Sequence, residues 1–210
     1  MGADGAGMEG SVSDVLVCDL AYKGQLDELK ARVLEDKSLA TKTDQADWTP
    51  LHIAASAGRD DIVKALIGKG AQVNAVNQNG CSPLHYAASK NRQEIAVMLL
   101  SNGANPDATD SLHSTPLHRA AAKGNLRMIQ ILLKYHASTN IQDSEGNTPL
   151  HLACDEERVD EAKLLVEHGA SIYIENKEDK TPLQVAKAGF GAVLRRLAEG
   201  IKIPTTLEKC

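Results

Sequence analysis

Thr115-Pro116-Leu117-His118, near the middle of the chain, decides how the rest is read. The tetrad also occurs as Thr49-Pro50-Leu51-His52 and Thr148-Pro149-Leu150-His151, and as Ser82-Pro83-Leu84-His85 with a serine in first place. A decayed copy stands at Thr181-Pro182-Leu183-Gln184. The prolines at 50, 83, 116, 149 and 182 are 33 residues apart every time. A strict period of this size implies stacked units, each burying its apolar face on its neighbours, rather than one globular core.

Each unit reads as two helices behind a turn. Thr or Ser can cap the first helix, and Pro is pre-organised for its first position. That helix carries small residues: Ala54-Ala55, Ala87-Ala88, Ala120-Ala121 and Ala153-Cys154. A left-handed turn is expected at Gly58, Asn91 and Gly124, with Glu157 as the variant. The second helix carries the larger apolar residues, such as Ile62, Val63, Leu66 and Ile67, or Met128, Ile129, Leu132 and Leu133. Their spacing is that of an amphipathic helix. Full units span 46–78, 79–111, 112–144 and 145–177. Residues 15–45 keep Leu20-Ala21, Gly24 and Leu29 without the tetrad and read as an N-terminal cap. Residues 178–200 read as a C-terminal cap. Residues 1–14 and 201–210 are expected to be disordered tails.

Composition narrows the function. Net charge is −5 and the pI is about 5.8. A generic nucleic-acid binder should be basic, so none is expected as a partner. Cys18, Cys81, Cys154 and Cys210 form no CxxC pair and read as free thiols of a reducing compartment. No apolar run suits a membrane span, and the N-terminal residues lack the features of a signal peptide. A cytoplasmic and nuclear monomer is the expectation.

The tetrad and its period resemble the ankyrin repeat, whose signature is Thr-Pro-Leu-His-x-Ala. The fold expected from that resemblance is an all-α solenoid of helix-turn-helix units with short hairpin tips. Within that family, several segments outside the signature resemble the assembly chaperones of the proteasome regulatory particle. These are Asp36-Lys37-Ser38-Leu39-Ala40-Thr41, Asn74 to Gly80, Ala87 to Arg92 and His151 to Arg158. The resemblance implies binding to the C-terminal domain of a proteasomal ATPase subunit. It also implies contacts with the retinoblastoma protein, a cyclin-dependent kinase and a ubiquitin ligase. A rival reading is an ankyrin-repeat regulator of a cyclin-dependent kinase with no proteasome role. The chain holds one repeat fewer than the resemblance implies, and the gap falls near Gln45-Ala46. Met8-Glu9-Gly10 resembles the usual start, which makes residues 1–7 an extension, and 201–210 lie past the usual end.

No catalytic, metal or cofactor site is expected. Stacked repeats set the four histidines one per layer, whereas a metal needs converging ligands. The histidines should instead bond neighbouring backbone. No G-x-S-x-G or phosphate-loop motif occurs. Binding is the expected activity, through Trp48, Ser89, Lys90, Arg119, Lys123, Asp155, Glu156 and Glu157. Lys90, Arg119 and Lys123 form a basic stretch along the first-helix edge, and Asp155 to Glu157 an acidic one a unit later. Glu145, Glu178 and Asp179 add acid at the tips. Opposite signs along one edge suit a partner with complementary charge. Trp48 aligns with Cys81, Ser114, Asn147 and Lys180, so it is expected to be an exposed tip residue and an anchor for a partner. Leu152-Ala153-Cys154-Asp155-Glu156 is an L-x-C-x-E string, with Leu152, Cys154 and Glu156 as its marks. As an extended peptide such a string engages the retinoblastoma pocket. Aligned with Ala55, Ala88 and Ala121, Cys154 is a helix-packing position, so the string is equally a chance run on a helix.

Overall fold

The computed structural model describes residues 12–201, with side chains from 16 to 200. The chain divides into two compact units, residues 1–105 and 106–210. The described residues of both are all helix and turn, and the hairpin tips are turns without strand.

The first unit begins with the cap helices α1 (Val12–Lys23) and α2 (Leu26–Glu35) and a 3₁₀ turn at Lys37–Thr41. Residues 12–14 and residue 201, expected in the tails, are therefore the start of α1 and the end of the last helix. Residues 1–11 and 202–210, the rest of the expected tails, lie outside the described residues. Two repeats follow, α3 (Pro50–Ala57) with α4 (Asp60–Gly68), and α5 (Pro83–Ser89) with α6 (Gln93–Ser101). First helices pack on first helices and second on second: α3 lies against α1 and α5, and α4 against α2 and α6. Leu51, Ala54, Ala55, Ile62, Val63 and Leu66 are fully buried between these rows.

The second unit repeats the scheme with α7 (Pro116–Lys123), α8 (Leu126–Lys134), α9 (Pro149–Asp155) and α10 (Val159–Glu167). It closes with α11 (Pro182–Val185) and α12 (Ala188–Ile201). Here α9 lies between α7 and α11, and α10 between α8 and α12. Leu117, Ala120, Ala121, Met128, Ile129 and Leu132 are among its fully buried core residues. The alanines let first helices approach closely, and the larger residues of the second helices fill the space behind them.

The tetrad does two jobs. Its Thr or Ser caps the helix by accepting from the His backbone N–H, at 3.2 Å from Thr49 to His52. The His returns the bond, since Nδ1 accepts from the Thr49 backbone N–H at 3.1 Å. A backbone N–H can only donate, so Nδ1 is unprotonated and Nε2 carries the proton. That Nε2–H reaches into the next repeat. His52 donates to the Cys81 carbonyl at 2.8 Å, His118 to Asn147 at 2.8 Å and His151 to Lys180 at 2.9 Å. The decayed copy keeps only the first job, with Gln184 Oε1 accepting from the Thr181 N–H at 2.8 Å.

Three further periodic devices complete each tip and joint. Asp44, Asn77, Asp110, Asp143 and Asn176 each accept, through Oδ1, from the backbone N–H groups two and four residues on. Asn74 and Asn140 each accept through Oδ1 from a backbone N–H 31 residues on, at Asn105 and Ser171, and Asp107 does the same with Ser138. An arginine at the start of the second helix crosses back over the preceding repeat: Arg59 Nε donates to Tyr22 O at 3.0 Å, and Arg92 Nε to Ser56 O at 3.2 Å. Gly58 shows why the turn beneath must be bare. Its φ is +77°, and a Cβ there would lie 2.8 Å from the Arg92 guanidinium carbon. Arg158 takes the same course over Gly124, but its buried Nε finds no acceptor.

The cap meets its neighbour without the imidazole bond. Gly24 (φ +75°) sets it in register with Gly58, which puts Cys18 where His52 stands. Where His52 bonds the next repeat, Cys18 offers its thiol to Lys42 O at 4.0 Å, a carbonyl of the cap's own segment.

Burial holds the pKa of His52, His118 and His151 below the usual histidine value, because charging them would cost solvation. A second proton would also set Nδ1–H against a backbone N–H. A depressed histidine pKa contributes stability that is complete above the unfolded value of about 6.5 and is lost as pH falls through the folded value. Thermal unfolding should therefore shift to lower temperature between pH 7.5 and 5, before the carboxylates titrate. His118→Gln should keep the cap, lose the bond to Asn147, cost about 1 kcal/mol at pH 7.5 and flatten that pH dependence. A melting temperature constant from pH 7.5 to 5 would contradict this assignment.

Candidate protein-binding surface

The residues expected to bind a partner fall into two groups, those used by the fold and those left over. Trp48 belongs to the first. Its ring stacks on Tyr86 with centroids 4.2 Å apart and lies 6.0 Å from the His52 ring. It is half-buried rather than exposed. Alignment with polar tip residues pointed to exposure, but an indole is long enough to reach an aromatic of the next repeat. Tyr86 is itself fixed, since its hydroxyl accepts from Asn77 Nδ2 at 2.7 Å.

Arg119 also belongs to the group used by the fold. It stands in the tetrad register of Tyr86 and likewise holds its own tip, donating to Asp110 Oδ2 at 2.8 Å. The Asp110 side chain is only 4% exposed and that of Arg119 26%. Burial alone would raise the Asp110 pKa. The bond from Arg119 and the N–H groups of Ser114 and Leu112 outweigh it and hold the carboxyl below its usual range. This arginine braces its own repeat.

The remaining charges sit where first helices end. Lys123 is the last residue of α7, Asp155 the last of α9, and Glu156 the residue after it, and all three are exposed. Because α7 and α9 pack side by side, the second unit carries a cation and two anions at neighbouring helix ends. Glu157, exposed with φ +55°, follows and pairs with Lys187 at 3.1 Å. In the first unit, Ser89 ends α5 and Lys90 caps it, the lysine exposed. At the tips Glu145 and Asp179 are exposed, and Glu178 pairs with Lys180 at 3.2 Å.

The L-x-C-x-E string is helical through Asp155. Successive helical residues turn by about 100°, so Leu152 and Cys154 point away from each other. Leu152 and Asp155 line a cleft of about 250 Å³ with His151, Asn176, Lys180 and Gln184. Cys154 faces the core at 1% exposure, and burial pushes its thiol pKa up to about 12. An extended peptide would show Leu152, Cys154 and Glu156 on one side, and this helix does not. Cys18, Cys81 and Cys154 are buried free thiols, and Cys210 lies outside the described residues. Both ring nitrogens of His52, His118 and His151 are taken by hydrogen bonds within the repeats. Among the described residues no cluster of three potential metal ligands forms, and no helix is long and apolar enough to cross a membrane.

A profile of ankyrin repeats matches residues 18–110 and 117–206, and the chain belongs to the ankyrin-repeat family. It is similar to the 26S proteasome non-ATPase regulatory subunit 10, or gankyrin. Identity to the Mus musculus protein is 65% over 67 residues, covering 32% of this chain and 29% of the relative. Identity to the Homo sapiens protein is 66% over 67 residues, covering 32% and 30%. Protein phosphatase 1 regulatory subunit 27 of Homo sapiens is 54% identical over 37 residues, covering 18% and 24%. The matched segments span about a third or less of the length of these curated relatives.

If Cys154 is sealed in the helix row, a thiol reagent should modify it slowly in the folded protein and at the free-thiol rate after denaturation. Cys154→Ala tells its signal from those of Cys18, Cys81 and Cys210. Rapid native labelling at Cys154 would mean that the string opens.

Proposed function

We propose that the chain is a non-enzymatic binding module, a gankyrin-like assembly chaperone of the proteasome regulatory particle that holds the C-terminal domain of an ATPase subunit. The observation that carries this reading is the 65% identity to the 26S proteasome non-ATPase regulatory subunit 10 over a third of the chain. The charged helix ends support it. Their side chains are not needed to close the repeats, and they present both signs within a short span. The binding residues on this reading are Lys90 with Ser89 in the first unit, and Lys123, Asp155 and Glu156 in the second. Trp48 and Arg119 serve by bracing the tips behind them. An occupied helix-end surface would keep the ATPase domain from docking elsewhere until assembly is complete. Contacts with the retinoblastoma protein, a cyclin-dependent kinase and a ubiquitin ligase belong to the same reading, in the cytoplasm and nucleus.

The test uses the purified C-terminal domain of each proteasomal ATPase subunit. One should bind. Glu156→Lys and Lys123→Glu should each weaken that complex by about two- to fivefold, the range of an exposed charge pair. The loss should shrink at high salt, where exposed charges are screened. Both variants should keep the wild-type melting temperature, because neither side chain takes part in the inter-repeat bonds. Failure of every ATPase domain to bind would remove the reading, and binding indifferent to both reversals would move the interface elsewhere. A parallel protein with one repeat inserted near Gln45-Ala46 shows whether the shorter array costs affinity.

A further inference from the structure

Leu34 is the most exposed large apolar residue among the described residues. Its side of α2 is the outer one. With Gly24 and Gly58 setting the register, Leu34 falls where the later repeats place Gly68, Ser101, Lys134 and Glu167, all exposed. Leu34 is exposed too, at 72%, whereas Leu29 and Val33 of the same helix are buried. It borders a cleft of about 700 Å³ between α2 and α4. The cleft interior is Leu26, Ala31, Leu34, Ala65 and Gly68, and a Cβ on Gly68 would meet no atom within 4 Å. The floor is thus open and apolar.

The charges around this cleft are ordered along it. Asp61 lines it at the first turn of α4, and Asp27 and Glu28 of the first turn of α2 line an adjoining cleft that shares Leu26 and Asp61. Lys30, Lys64 and Lys69 stand along the far part. Glu28 is paired with Arg32 at 2.9 Å, and Asp27 and Asp61 line the adjoining cleft together. Along the cleft lining the charge therefore passes from Asp61 at the first turn of α4 to Lys30, Lys64 and Lys69, while Glu35 at the end of α2 lies outside that lining. A helix lying antiparallel to α2 and α4 would set its own N-terminus at the lysines and its C-terminus at the carboxylates. Acidic residues near a helix N-terminus and basic ones near its C-terminus are also what the helix dipole favours. The best-fitting occupant is thus one whose own charge order stabilises it.

We propose that the α2–α4 cleft is a docking groove for an amphipathic helix of a partner protein, acidic at its N-terminal end and basic at its C-terminal end, bound antiparallel to α2 and α4 with its apolar stripe over Leu34. Recognition by a groove of this kind uses residues at i, i+3, i+4 and i+7 of the guest helix. A second copy of this chain does not fit the shape. Its equivalent face is another cleft, and two concave surfaces cannot fill each other. The inference is independent of the ATPase-domain reading, because it uses second-helix residues and none of the charged ends of the first helices.

The test uses two stapled, fluorescein-labelled helical peptides of about 14 residues, roughly four turns. They share composition and a leucine stripe. One carries Glu in its N-terminal half and Lys in its C-terminal half, and the other has these exchanged. The first should bind the full chain at least about tenfold more tightly, since like charges would face each other along the second. Leu34→Asp should abolish binding, and because Leu34 is exposed the variant should fold with an unchanged circular dichroism spectrum. The combined Asp61→Lys, Lys64→Glu exchange should move the preference toward the second peptide. Glu156→Lys should leave both affinities unchanged, which separates this site from the proposed ATPase surface. Equal binding of the two peptides, binding by neither, or binding that survives Leu34→Asp overturns the proposal. So does a concentration-dependent dimer in sedimentation that Leu34→Asp dissolves, because the face would then belong to a second copy.

Discussion

A buried, neutral imidazole that bonds two repeats at once is the constraint on which this structure depends. His52, His118 and His151 each accept a backbone N–H at the start of their own helix and donate to a carbonyl of the next tip. The first bond fixes where the helix begins, and the second fixes where the following repeat lies. Proline at the first helical position removes one unsatisfied donor, and threonine supplies an acceptor for another. The alanine pairs follow from this. Once the imidazole sets the spacing between layers, only small side chains fit between adjacent first helices, and Ala54, Ala55, Ala120 and Ala121 are fully buried.

Much of this was legible in the sequence because the tetrad is local. Threonine, proline and histidine act within four residues of one another, and the strict period carries the same local solution along the chain. The inter-repeat bond was legible as well, since histidines laid one per layer cannot converge on a metal and must find backbone. Other periodic features were present but not read. Asp44, Asn77, Asp110, Asp143 and Asn176 recur at the same 33-residue interval as the prolines. They were missed because Asx residues in turns look generic until their bonds to the N–H groups two and four residues on are seen. Arg59 and Arg92 look like solvated helix-start residues, and only the three-dimensional turn shows their guanidinium groups lying over Gly24 and Gly58.

The candidate site was less legible than the fold, and for a single reason. A charged or aromatic residue at a helix edge has two uses, and sequence register does not distinguish them. Trp48 and Arg119 read as partner contacts and also serve as internal braces, one through Tyr86 and the other through Asp110. Lys123, Asp155 and Glu156 stand exposed at their helix ends, where the proposed partner would meet them. The cap shows the reverse case. Cys18 occupies the register of the missing histidine, and its thiol sits 4.0 Å from the carbonyl it faces. A joint lacking the imidazole bond is also the joint beside which the α2–α4 cleft opens.

The central claim is that the imidazoles are neutral Nε2–H tautomers committed to the next repeat. Long-range proton–nitrogen NMR on histidine-labelled protein at pH 7.5 reads this directly. It should show His52, His118 and His151 with the proton on Nε2, the Nδ1 shift of an acceptor, and Nε2–H protons slow enough in exchange to be observed. An Nδ1–H tautomer, or rapid averaging between the two at these three residues, would contradict the account and leave the stacking of repeats to apolar packing alone.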